Sequence, residues 1–135
     1  MAMHSSALQK AIYVALANDS SLSALGAEVY DDVTEGASLP YVVVGEETAT
    51  NIGTKTVDAL EHTLTIHAWS QYRGRKEVKD IMAAIYGALH NVSLSLETDS
   101  TLVNIRQEFA QTIVENDGIT RHGVMRFRAV VFDND

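Results

Sequence analysis

Apolar residues recur at Leu8, Ala11, Ile12, Ala15 and Leu16, three or four positions apart, the spacing that lines one face of a helix. The pattern predicts a first helix with that stripe turned inward and Ser5 or Ser6 capping its start. Asn18, Asp19, Ser20 and Ser21 end it and offer a cap to a short turn through Leu22 and Leu25. Gly26 closes that turn, as a residue suited to the left-handed conformation in which helices end. A brief extended piece over Glu28–Tyr30 leads into the acidic, polar stretch 31–38.

Pro40 biases Leu39 away from helix, and the run Tyr41, Val42, Val43, Val44 reads as a strand with proline tolerated at its first position. Segment 47–59 is polar and threonine-rich, and it is longer than a plain hairpin loop, so it forms either a projecting arm or extended strand ends. Over 62–69 the chain alternates, with Leu64, Ile66 and Ala68 on one face and Thr63, Thr65, His67 and Trp69 on the other. After Gly74, a second helical stripe runs through Val78, Ile81, Met82, Ile85 and Leu89, with Lys79 and Asp80 outside and His90 and Asn91 at its close.

Two further strands, 101–114 and 119–132, flank Asn116, Asp117 and Gly118. That triplet suits a three-residue hairpin loop with Gly118 in the left-handed position. The register it implies sets Val103 opposite Val131, Ile105 opposite Ala129 and Phe109 opposite Met125, with Glu108 against Arg126 on the other face. Turn chemistry and cross-strand matching thus select the same pairing. The element order is α-β-β-α-β-β, and the expected fold is α+β: a four-stranded antiparallel sheet with two helices packed on one face, in one domain spanning 1–135. The opposite sheet face would carry His67, Trp69, Arg126 and Arg128.

Composition narrows the function by exclusion. With 135 residues, 46% of them hydrophobic and a single proline, the chain supports one globular core. The lack of cysteine removes disulfides, thiol catalysis and cysteine-based zinc sites. No apolar run approaches the roughly 20 residues of a membrane span, and residues 1–10 lack the charged-then-apolar order of an export signal. Net charge is −8, and it is lopsided: residues 1–61 hold nine acids and two lysines (−7), whereas 62–135 hold nine acids and eight basic residues (−1). Such a chain repels phosphate backbones unless a local patch reverses the field.

No catalytic constellation emerges. His62 and His67, five apart on one strand, point to opposite faces, and His4, His90 and His122 share no ligand spacing, so no metal site is expected. Gly53, Thr54, Lys55 and Thr56 lack the second glycine and the helix start of a phosphate loop. Adjacent acids such as Asp31 and Asp32, or Glu46 and Glu47, diverge on an extended chain, and no Gly-x-Ser-x-Gly elbow occurs. No cofactor is expected. Surface groups remain as candidates for contact. Arg73, Arg75 and Lys76 gather at the start of the second helix, where the macrodipole disfavours cations. They face either solvent or an acidic neighbour such as Asp31, Asp32 and Glu35 of another copy. Trp69, just before them, is a packing anchor or a partner contact, and Asn51, Gly53 and Lys55 lie in the 47–59 segment.

The succession Leu8-Gln9-Lys10-Ala11-Ile12, Val29-Tyr30-Asp31, Leu39-Pro40-Tyr41-Val42-Val43 and Glu61-His62-Thr63-Leu64-Thr65-Ile66-His67-Ala68-Trp69-Ser70, with a helix ending Ala88-Leu89-His90, resembles the tail-terminator (tail-completion) proteins of long-tailed phages, including those of gene transfer agents. The resemblance covers residues 7–92 well, and Arg126-Phe127-Arg128-Ala129 fits the last strand more loosely. It implies a non-enzymatic structural protein, made in the bacterial host cytoplasm, that caps the tail tube at its head-proximal end and halts polymerisation. The implied partners are other copies in a homo-hexameric ring, the tail-tube protein, the head–tail connector or stopper protein, and DNA passing through the hole without sequence-specific binding; no membrane is involved. A ring needs two complementary patches on each copy, which the uneven charge distribution can supply. The alternatives are another head–tail joining or minor tail protein, and a small ligand- or RNA-binding α+β module whose sheet aromatics stack bases. The charge of −8 opposes the latter.

Overall fold

The computed structural model describes residues 3–33 and 36–134. Three helices occur among them: α1 (Ser5–Ala17), α2 (Ser20–Ala24) and α3 (Lys76–Leu89). The expected stripes face inward, with Leu8, Ile12 and Leu16 buried on α1 and Val78, Ile81, Met82, Ile85 and Leu89 buried on α3. Asp19 caps α2 by accepting from the Leu22 N–H at 3.0 Å. The start of α1 differs from expectation. Its cap position is His4, no side chain caps it, and the Ser5 hydroxyl is buried without a hydrogen-bond partner. The His4 imidazole instead meets Thr98 Oγ1 at 2.6 Å and Asp133 Oδ1 at 3.3 Å, which ties the beginning of the chain to its last strand.

The strands are β1 (Glu28–Tyr30), β2 (Tyr41–Asn51), β3 (Ala59–Ser70), β4 (Ser100–Val114) and β5 (Arg121–Asp133), in the spatial order β1-β2-β3-β5-β4. The four-stranded antiparallel sheet with two helices is therefore corrected to a five-stranded mixed sheet with three helices. The added strand is the short extended piece: Glu28, Val29 and Tyr30 pair in parallel with Tyr41, Val42 and Val43. Three residues are too few to show a period, and parallel pairing depends on the 31–40 connection carrying the chain back to the end where β1 began. Local pattern holds no record of that return.

The β4–β5 hairpin is where expected, but its register is not uniform. Ile105 does face Ala129. Towards the turn, however, Asp117 accepts hydrogen bonds from the N–H groups of Ile119 and Thr120 and from the Thr120 hydroxyl. These donors hold its carboxyl below the usual carboxylate range and draw Ile119 into the loop. The turn thus closes through Glu115 N–H to the Thr120 carbonyl at 2.9 Å, with four residues between instead of three. A bulge at Glu108 absorbs the extra residue, and a second at Val103 shifts the pairing again. In place of the expected pairs, Leu102 faces Val131, Ala110 faces Met125 and Phe109 faces Arg126. Val103 and Phe109 consequently remain exposed, and Glu108 has no cross-strand partner.

One sheet face and the helices enclose the core, in which Val42, Val44, Leu64, Ile66, Ala68, Met125, Phe127 and Ala129 pack against Leu8, Ile12, Ile81 and Ile85. The other face is open and supports most of the polar chemistry.

Candidate interaction surfaces

The alternation of β3 turns His67 and Trp69 to the open face, and the pairing of β3 with β5 sets Trp69 opposite His122. The indole and the His122 imidazole stack with centroids 3.7 Å apart at 10°. His122 in turn contacts His67, Nε2 to Nδ1, at 2.7 Å. The chain continues at both ends: His67 Nε2 meets Glu46 Oε1 at 2.8 Å, and His122 Nδ1 meets Glu115 Oε1 at 2.9 Å. Four ionisable groups from β2, β3, β5 and the β4–β5 turn are thereby linked in one line. Burial pushes the His122 ring below its ordinary pKa against the opposing pull of Glu115, and the His67 hydrogen bond holds the Glu46 carboxyl below its own. All four ring nitrogens are occupied in this line. Among the described residues no group of three or more His, Asp and Glu side chains is placed to hold a metal ion.

This line was invisible in the sequence because His122 sits just beyond a turn and comes beside His67 only through the β3–β5 pairing. A second feature was within reach. The register that joins Ile105 to Ala129 also sets Arg106 directly opposite Arg128 on the open face.

The residues singled out from sequence fall into separate patches. Asp31 and Asp32 are exposed just after β1 and line an open groove of about 560 Å³ with Tyr13, Tyr30 and Gln9. Asp31 accepts a hydrogen bond from the Gln9 amide. Glu35 lies outside the described residues. Asn51, Gly53 and Lys55 cluster at the β2–β3 turn, where the Asn51 side chain accepts from the Gly53 N–H at 2.8 Å. A Cβ on Gly53 would stand 2.5 Å from the Val57 carbonyl oxygen, so the tight return of this turn requires glycine. Arg73, Arg75 and Lys76 are all exposed at the other end of β3, and Lys76 pairs with Asp80 at 2.7 Å. Cations there oppose the positive end of the helix dipole, an effect that solvent screens at these exposed positions. The five buried side chains of α3 outweigh this, since each large one contributes about 1.5–3 kcal/mol. Trp69 is half-buried, with its indole stacked on His122.

Comparison with known structures agrees with an assembly component. The fold matches a chain in the virion of a native gene transfer agent particle with a TM-score of 0.90 and 30% identity, covering 98% of this chain and 99% of that one. The structure of the gp17 protein of bacteriophage SPP1 matches with a TM-score of 0.60 and 28% identity, over 92% of this chain and 88% of that one. Together these define a structural protein of phage-type tails. More particularly, the chain belongs to the tail completion protein gp17 family, whose profile matches residues 10–132. The tail completion protein gp17 of Bacillus phage SPP1 is 31% identical over 130 residues, 96% of each chain.

Proposed function

We propose that this protein completes the tail of a phage or phage-like particle by capping its tube at the head-proximal end, stopping polymerisation and forming part of the head–tail junction as a six-membered ring. The observation that carries this reading is the end-to-end likeness to a chain in the virion of a gene transfer agent particle. In the proposed arrangement the ring stacks on the last ring of the tail-tube protein and offers its opposite surface to the connector or stopper protein, while DNA passes through the hole.

The long β3 supports two distinct docking ends. It separates Asn51, Gly53 and Lys55 from Arg73, Arg75 and Lys76 by 12 strand residues, about 40 Å at the usual strand rise. One cluster meets the tube or a neighbouring copy, and the other meets an acidic partner surface. Negative-stain imaging of the purified protein, alone and mixed with its tail-tube protein, tests the reading. The expected result is rings and tubes of limited length bearing a cap at one end. Tubes that grow without limit in its presence, with no ring on them, would overturn it.

A further inference from the structure

On the open sheet face, Arg106 on β4 stands directly opposite Arg128 on β5, and Arg126 lies two residues along the same face. Like charges placed opposite each other across two strands destabilise the sheet. The chain does little to neutralise them. Arg128 has Glu61 at 3.9 Å, and Arg126 rests over the Phe109 ring at 4.6 Å. Neither Arg126 nor Arg106 has an ion-pair partner among the described residues. A protein with 18 acids and only 10 lysines and arginines therefore leaves a repelling cluster of guanidiniums exposed.

Across the sheet lies the complement. β1 and β4 are opposite edges, and beyond β1 the exposed Asp31 and Asp32 flank the groove lined by Tyr13, Tyr30 and Lys10, the last of which is paired with Glu97 at 2.7 Å. Asp31 is hydrogen-bonded there by a neutral amide and not by a cation. Two different patches of opposite sign at opposite edges suit head-to-tail association, which closes into a ring when the rotation allows. Arg73 and Arg75, by contrast, lie beyond the end of β3, off the line joining those edges.

We infer that Arg106, Arg126 and Arg128 form the docking surface for the Asp31–Asp32 groove of a second copy of this chain, so that each copy lays its α1–β1 edge over the next copy's open sheet face. The inference rests on the ring reading above and replaces Arg73 and Arg75 as the partners of the acidic segment. Duplex DNA is the competing occupant of an arginine cluster. A ring presenting six such clusters to its hole would grip phosphates and hinder passage, so the surface between copies is the better place for them.

The test compares the full chain with Arg106→Glu/Arg128→Glu, Asp31→Lys/Asp32→Lys and the quadruple variant by sedimentation velocity at low and high salt, alone and on tail tubes. Each double reversal should weaken self-association by at least about tenfold, and the quadruple variant should regain it. Rings unchanged by the reversals would overturn the inference and leave the ring reading standing. A wild-type chain that forms no ring, alone or on tubes, would remove both. Gel retardation of duplex DNA at physiological salt, lost in the arginine variant, would assign the cluster to DNA instead. The single change Arg106→Glu serves as the folding control: it removes the like-charge opposition, so the monomer should melt at the same temperature or higher. Melting at a clearly lower temperature would show that the arginines support each other and overturn the starting point.

Discussion

His67 Nδ1 and His122 Nε2 share a 2.7 Å hydrogen bond, and the outer nitrogen of each ring faces a carboxylate, Glu46 on one side and Glu115 on the other. Three hydrogen bonds between four groups need three protons. Two neutral imidazoles supply two, so one of the three contacts lacks a proton whenever both rings are uncharged. The line is therefore coupled to pH, and its two lowered pKa values set the sign.

Folded His122 binds its proton less readily than an exposed ring with a pKa of 6.5, chiefly because it is buried. Its contribution to stability is fully present above 6.5 and is lost as pH falls below that value. Glu46 adds a second loss below 4.5, because its carboxylate accepts from His67 in the folded state. The melting temperature should accordingly fall from about pH 7 to about pH 5 and fall further below. His122→Phe keeps a ring against Trp69 and should flatten the upper part of that slope. Proton NMR of the His122 ring should give a midpoint below 6.5; a higher midpoint would contradict the burial argument.

Glu115→Gln addresses the missing proton. The amide donates to His122 Nδ1 without needing the ring to be charged, and it completes the line with neutral groups. The variant should be more stable than the parent at about pH 8 by about 0.5–1.5 kcal/mol, the net worth of one hydrogen bond. Thermal melts of the two proteins at about pH 8 and about pH 5 check this, since the advantage should shrink in acid.

Gly118 has φ of +75° within the β4–β5 turn. Gly118→Val forces a branched side chain into the left-handed region at a cost of about 1–2 kcal/mol. No atom lies within 4 Å of a Cβ built there, so strain alone causes the loss, and Gly118→Asn should recover most of it. Denaturant midpoints of the three proteins provide the measurement.

The β2–β3 tip separates assembly from folding. Residues 52–58 form the turn, whereas Glu47 belongs to β2 and its Oε2 lies 3.1 Å from Nδ1 of the fully buried His62. Replacing 52–58 by Asn-Gly should leave the monomer's melting temperature within about 2 °C while abolishing ring or tail assembly. Deleting 47–59 should instead destabilise the monomer by about 1–3 kcal/mol or more. His62 Nε2 already has no hydrogen-bond partner, and loss of Glu47 would strip the buried ring of its other one. Intact assembly after the short replacement would place the contacts elsewhere.

Local chemistry determined a good part of this protein. The stripes of α1 and α3 were legible because helical periodicity is the same statement as a buried face. The alternation of β3 foretold which side of the sheet would carry His67 and Trp69. The Asn18–Ser21 run and Gly26 marked a short turn, because capping and positive φ are properties of single residues, and the structure forms that turn as the helix α2. The ordered succession of segments also indicated the tail-completion family, to which the chain belongs.

Tertiary structure decided what depends on two distant segments meeting. β1 joined the sheet in parallel only because the 31–40 connection doubles back. The hairpin register departed from the simplest pairing because one carboxylate, Asp117, enlarged the turn, and two bulges then shifted the ladder in steps. A bulge is a local trade between strand twist and pairing, and it leaves no periodic signal to read. The histidine line and the placement of acid and arginine at opposite edges depend on the strand order β1-β2-β3-β5-β4. Hydrophobic pattern says which face of each strand is buried. Which strand lies beside which is settled by packing all of them against the same helices at once.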